Sequence, residues 1–199
     1  PWMPTIIIST SNDISTDNRV HKVATVLLEL GYNVIWVGRM VKTSTQLERP
    51  YKTIRLNWAF SKGALFYAEL NLRLFWLLLF SKADVFLSND LDTLWPNRLV
   101  SRIRRKMLVY DTHEYFLGVP EIQNRPFVKF VWRSIERSIF PKLRHVFTVN
   151  ESIACLYETD YQKRPMVFRN ISMLPEIPRW KTREELSLPA NKFIFINQG

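Results

Sequence analysis

The residue types that can do chemistry fall in three short clusters. Asp111-Thr-His-Glu-Tyr-Phe116 follows an apolar run. His113 there stands beside carboxylates and the aromatic Tyr115, a set able to move a proton or hydrogen-bond a polar substrate. Ser9 to Arg19 is polar, free of glycine and runs into a helical pattern. Its Asn12, Asp13, Asp17 and Arg19 could bind sugar hydroxyls or, with the N–H groups of a helix start, a phosphate. Asp17 or Thr16 would serve equally well as a plain helix cap. Asn89-Asp-Leu-Asp-Thr-Leu94 holds a pair of carboxylates two residues apart, Asp90 and Asp92. Such a pair can share a hard cation. Asp92 also stands where a helix cap is wanted, and Asp90 reads better as a hydroxyl-binding carboxylate. Asn150-Glu-Ser152 reads as a capping turn.

Other chemistries are excluded by composition. The single cysteine, Cys155, rules out a disulfide framework and a thiolate-rich metal site. His21, His113 and His145 have no metal-ligand spacing. These counts leave no metal-ligand cluster apart from the Asp90–Asp92 pair, no cofactor is expected, and the cysteine usage suits a reducing, cytoplasmic compartment. Five glycines, none close to another, leave no room for a Gly-rich phosphate loop.

The elements that must position these clusters alternate. Thr5–Ser9, Asn33–Val37, Tyr51–Leu56, Asp84–Ser88, Met107–Asp111, His145–Val149 and Met166–Arg169 read as short, mostly buried strands. Between them come helical patterns. One carries Val20, Val23, Ala24, Leu27 and Leu30 and ends at Gly31. Others cover 64–81, 93–104, Pro126 to Phe140 and Glu151–Thr159. The 64–81 segment contains Glu69, Asn71 and Arg73, and its unbroken apolar run is too short for a membrane span. It is expected to be a buried or half-buried helix. The pattern predicts an α/β domain with a doubly wound, mostly parallel, Rossmann-like sheet. Ligands gather at the carboxyl ends of such strands, where all three clusters lie.

The expected division is a domain over 3–172, a linker over 173–190 and, over 191–199, the first strand of a second domain that continues beyond Gly199. The residues before Met3 look like a remnant, and no signal peptide is expected.

The chain has 28 Lys and Arg against 18 Asp and Glu, a net charge of +10. Arg98, Arg102, Arg104, Arg105 and Lys106 cluster, and Arg125, Lys129, Arg133 and Arg137 recur every four residues. The second set forms one helical stripe, either a solvated face or a face toward an anionic membrane.

The ordered set Ser11-Asn-Asp13, Asp17-Asn-Arg-Val20, Gly31-Tyr-Asn-Val34, Ala83 to Asp90, Tyr110 to Tyr115, Val149-Asn-Glu-Ser152 and Phe168-Arg-Asn-Ile171 resembles the N-terminal domain of family 4-like glycosyltransferases of the GT-B fold. The resemblance implies one of two domains, the acceptor side of an enzyme moving a sugar from a nucleotide-sugar to a glycan or lipid-linked acceptor, as in polysaccharide biosynthesis. It implies retention of configuration and no metal. It places His113 near the transferred sugar and donor phosphate, with the loop of Asn12, Asp13, Asp17 and Arg19 facing the same cleft. Asp90 or Glu114 would orient the acceptor. The loop departs from many members, which carry a glycine pair there. The donor-holding carboxylates of the family lie in the second domain, so this chain alone is expected to be inactive. Lipid-linked acceptors imply a peripheral place at the inner membrane face.

Three other classes stand beside this reading: a basic module binding membrane or nucleic acid, a sugar-nucleotide epimerase of similar architecture, and an interaction domain. Nucleic acid is disfavoured, because the aromatics lie within core-like runs and no reading motif is present.

Overall fold

The computed structural model describes residues 3–41, 48–171 and 181–195. Among these described residues, seven strands form one sheet: β1 (Thr5–Asp13), β2 (Asn33–Arg39), β3 (Lys52–Leu56), β4 (Val85–Asn89), β5 (Met107–Thr112), β6 (His145–Thr148) and β7 (Met166–Val167). Their order is β3-β2-β1-β4-β5-β6-β7, and every pair is parallel. The helices are α1 (Asn18–Glu29), α2 (Gly63–Phe80), α3 (Leu91–Ile103), α4 (Pro120–Gln123), α5 (Pro126–Ile139) and α6 (Glu151–Tyr161). The expected doubly wound α/β fold is present.

The central strands are apolar on both faces because both faces are covered. Ile7, Phe86 and Tyr110 bury against the side that includes Leu74 and Leu78 of α2 and Leu94 and Val100 of α3. Ile6, Ile8 and Trp36 bury with Val20 and Ala24 of α1 on the other. Each fully buried side chain of this size contributes about 1.5–3 kcal/mol of transfer free energy. The strand order reverses at β1, which pairs with β2 on one edge and β4 on the other. A crevice opens at such a switch point, outside the carboxyl ends.

Several boundaries differ from expectation. β1 runs on to Asp13, with an irregular register between Ser9 and Asp13. Gly38 makes this path possible: a Cβ there would lie 2.6 Å from Thr10 Oγ1 and 2.7 Å from Ile14 Cγ1. α3 begins at Leu91, so Asp90 and not Asp92 occupies its N-cap, and the Asp90 side chain makes no capping bond. Arg125 precedes α5 rather than joining its stripe. Residues 193–195, expected in a terminal strand, are irregular and mostly exposed, and 196–199 lie outside the described residues, as do 172–180 of the expected linker.

Candidate active site

Four chain segments meet at the switch point: the end of β1 with the start of α1, the β4–α3 junction and the end of β5. Asn12, Asp13, Thr16, Asp17, Asn18, Arg19 and His113 line a cleft of about 410 Å³. Five of these were candidates on sequence grounds.

Arg19 organises the base of the cleft. Its guanidinium donates to both carboxylate oxygens of Asp111, at 3.3 and 2.9 Å, and to Asn89 Oδ1 at 3.0 Å. Both partners of the ion pair are mostly sequestered, with side chains 14% and 13% exposed. The planar fork of arginine suits this two-pronged grip. Asn89 and Asp111 were missed as site residues in the sequence. The signal was their place at the carboxyl ends of β4 and β5.

His113 leaves β5 directly and brings its Nδ1 to 2.9 Å from Asp90 Oδ1. The contact is a close ionic one without the alignment of a hydrogen bond. Burial works against a charged ring, yet the adjacent Asp90, helped by Asp111, holds the imidazole above its ordinary value of 6.5. His113 is therefore charged over a wider pH range than a free histidine.

Asp90 has φ 61° and ψ 168°, a conformation almost reserved for glycine. Such strain costs on the order of 1–3 kcal/mol and collects at functional sites. The surroundings fix it: the Asp90 N–H donates to the Asp111 carbonyl at 3.0 Å, and Thr93 Oγ1 closes on the Asn89 carbonyl at 2.7 Å.

Asp92 is buried, and one of its oxygens has no hydrogen-bond partner. Burial and the nearby Asp90 carboxylate push its pKa up to about 7. The two carboxylates of the D-x-D are thus used differently, Asp90 against His113 and Asp92 within the protein. They do not jointly face the cleft as a chelate would require.

The other candidates divide. Asp17 caps α1, accepting from the Val20 N–H at 3.0 Å, while also lining the cleft. Asp13 accepts from the Ser15 N–H at 3.0 Å and lies 3.7 Å from Arg55. Asn12 is exposed on the cleft wall. Glu114 and Tyr115 depart from the expected cleft. Glu114 is exposed and is not part of its lining; its carbonyl accepts from Thr112 Oγ1 at 2.9 Å. Tyr115 donates to Asp160 and packs edge-on against Tyr157. The chain turns into a helical turn at Phe116–Gly118, and that turn carries Tyr115 toward α6. Arg133 and Arg137 are exposed on α5, and Lys129 Nζ donates to Gln123 Oε1 at 2.6 Å.

No family model and no curated protein sequence matches this chain. Solved structures do. Sucrose-phosphate synthase (tll1590) from Thermosynechococcus elongatus superposes with a TM-score of 0.62 at 14% identity, over 94% of this chain and 53% of that one. TcCGT1 in complex with UDP gives 0.61 at 8% identity, over 94% and 55%. Os79 from O. sativa, in complex with UDP and deoxynivalenol-3-glucoside, gives 0.56 at 14% identity, over 79% and 50%.

The fold is the Rossmann-like fold of GT-B glycosyltransferases. This chain spans about half the length of those structures. At these identities the likeness concerns the fold, and the chemistry must be argued from the cleft.

Proposed function

We propose that this chain is the acceptor-side domain of a glycosyltransferase, of the family 4-like kind, that moves a sugar from a nucleotide-sugar to a glycan or lipid-linked acceptor, with retention and without a metal. The observation that carries the reading is the convergence of His113, Asp90 and the Arg19–Asp111 pair at the switch point of the sheet. Structures sharing the fold have been solved with UDP bound, which favours a uridine nucleotide as carrier.

The cleft chemistry fits hydroxyl-rich ligands. Carboxylates outnumber free cations there, because Arg19 is already engaged by Asp111. Asp13, Asp17, Asn12 and Asn18 offer acceptors and amides to sugar hydroxyls. The departing diphosphate develops negative charge, which preorganised donors stabilise. When protonated, His113 supplies one such donor through the nitrogen not turned to Asp90, and its raised pKa widens the pH range over which it does so. Divergent use of Asp90 and Asp92 favours a reaction without a chelated cation.

NMR of this chain tests the binding half of the proposal. Oligosaccharide acceptors should perturb the resonances of Asn18, Arg19 and His113 while leaving α6 unchanged. Shifts scattered over the surface, or none with any sugar, would count against it.

A further inference from the structure

A second surface, remote in character from the polar cleft, is unusually apolar. α2 buries one row, Phe66, Leu70, Leu74 and Leu78, in the core. Its other side is left uncovered: Leu72 is 59% exposed, Trp76 50% and Phe80 76%. By length and hydropathy α2 could cross a membrane (18 residues, mean hydropathy 1.4), yet only 22% of it is buried in the domain. Its core row ties it to the sheet, so it lies along the domain with an apolar face outward.

Across from it, α5 exposes Phe127 at 77% and Phe130 at 66%. A groove of about 790 Å³ runs between the two helices, with Trp95 and Leu99 of α3 also in its wall. An exposed apolar surface of this kind marks an interaction site.

Charge selects the occupant. α2, α3 and α5 carry three carboxylates. Asp92 and Glu136 are buried, and Glu69 is held by the Ala59 and Phe60 N–H groups and by Arg73. With Arg73 taken up by Glu69, Arg102, Arg133 and Arg137 remain exposed on the same helices. On α5, at about 100° per residue, Phe130 and Phe127 lie between the arginine flank and the groove-facing Val131. This is the arrangement of a helix lying in a membrane interface, with basic side chains beside an inserted apolar face. A second copy of the chain would set arginine against arginine, whereas an anionic bilayer offers negative charge above an apolar interior.

We propose that the face built from α2, α3 and α5 docks on an anionic lipid bilayer, its exposed aromatic side chains entering the boundary between headgroups and acyl chains. The proposal goes beyond sugar transfer and does not depend on it. The basic flank read from the sequence is one part of the surface; the uncovered side of α2 is the part that the sequence did not reveal.

Sedimentation of the chain with vesicles tests this. Phosphatidylcholine mixed with phosphatidylglycerol should bind at least about tenfold more tightly than phosphatidylcholine alone, since each basic residue near the surface adds attraction. The double variant Trp76→Ser/Phe127→Ser, at exposed positions and checked for its fold by circular dichroism, should lose about tenfold or more. Arg133→Glu/Arg137→Glu should lose a comparable factor. Equal binding to both vesicle types, no binding to either, or binding untouched by the aromatic double variant would overturn the proposal. So would a dimer in solution that the aromatic double variant dissociates.

Discussion

Replacing Asp92 by asparagine tests the electrostatics of the site through stability. In the unfolded chain this carboxyl titrates at 3.8, and in the folded protein at about 7. The folded state therefore holds its proton more tightly between those values. Stability must fall as pH rises through that window and level off above it. The gap between 3.8 and about 7, at ~1.36 kcal/mol for each tenfold change in proton affinity, makes the loss about 4 kcal/mol. Asp92→Asn keeps the shape and cannot ionise, so its stability lacks this slope. The difference between variant and wild type should swing in favour of the variant by about 4 kcal/mol between pH 4 and pH 8. Urea unfolding at a series of pH values measures it, because groups not coupled to Asp92 cancel in the difference, and the coupled ones are Asp90 and His113. A flat difference curve would mean that Asp92 titrates as an ordinary exposed carboxylate. The burial argument, and with it the uneven use of the two carboxylates, would then be wrong.

Three further outcomes follow from the same geometry. Asp90→Gly relieves the backbone at φ 61°, so it should stabilise the fold by about 1 kcal/mol while lowering transfer activity, because His113 loses its partner. Arg19→Ala leaves Asp111 buried and unpaired and should cost about 3 kcal/mol in thermal or denaturant unfolding. His113 should titrate above 6.5 by NMR in the wild type and move downward in Asp90→Asn; its contribution to stability is present below pH 6.5 and is lost as pH rises through the folded value.

Much of the architecture was legible because burial writes itself into composition. Runs such as Ile6 to Ile8 and Val85 to Leu87 are apolar on successive residues, as strands of a sheet covered on both sides must be. The order of strands then placed Arg19 and His113 near one rim. Three features escaped for physical reasons. Asp111 lies inside a strand, where an isolated carboxylate reads as a boundary; its partner Arg19 is far away in sequence, and only the β1–β4–β5 pairing joins them. Tyr115 is two residues from His113, but the turn after β5 carries the two side chains apart, so adjacency in sequence misled. The outer face of α2 escaped because hydropathy counts apolar residues without saying which of them a neighbour covers. Leu74 and Trp76 look equally suited to a core, and one is 1% exposed while the other is 50%.

The central claim is that the rim holding His113 handles a sugar during its transfer. The most direct test is turnover from a panel of nucleotide-sugars by the protein that carries this chain together with a donor-binding domain, comparing wild type with His113→Ala. Loss of one preorganised donor to the leaving group should lower kcat by about a hundredfold, with the folded state intact and the anomeric configuration of the donor retained in the product. Undiminished turnover in His113→Ala would contradict the account.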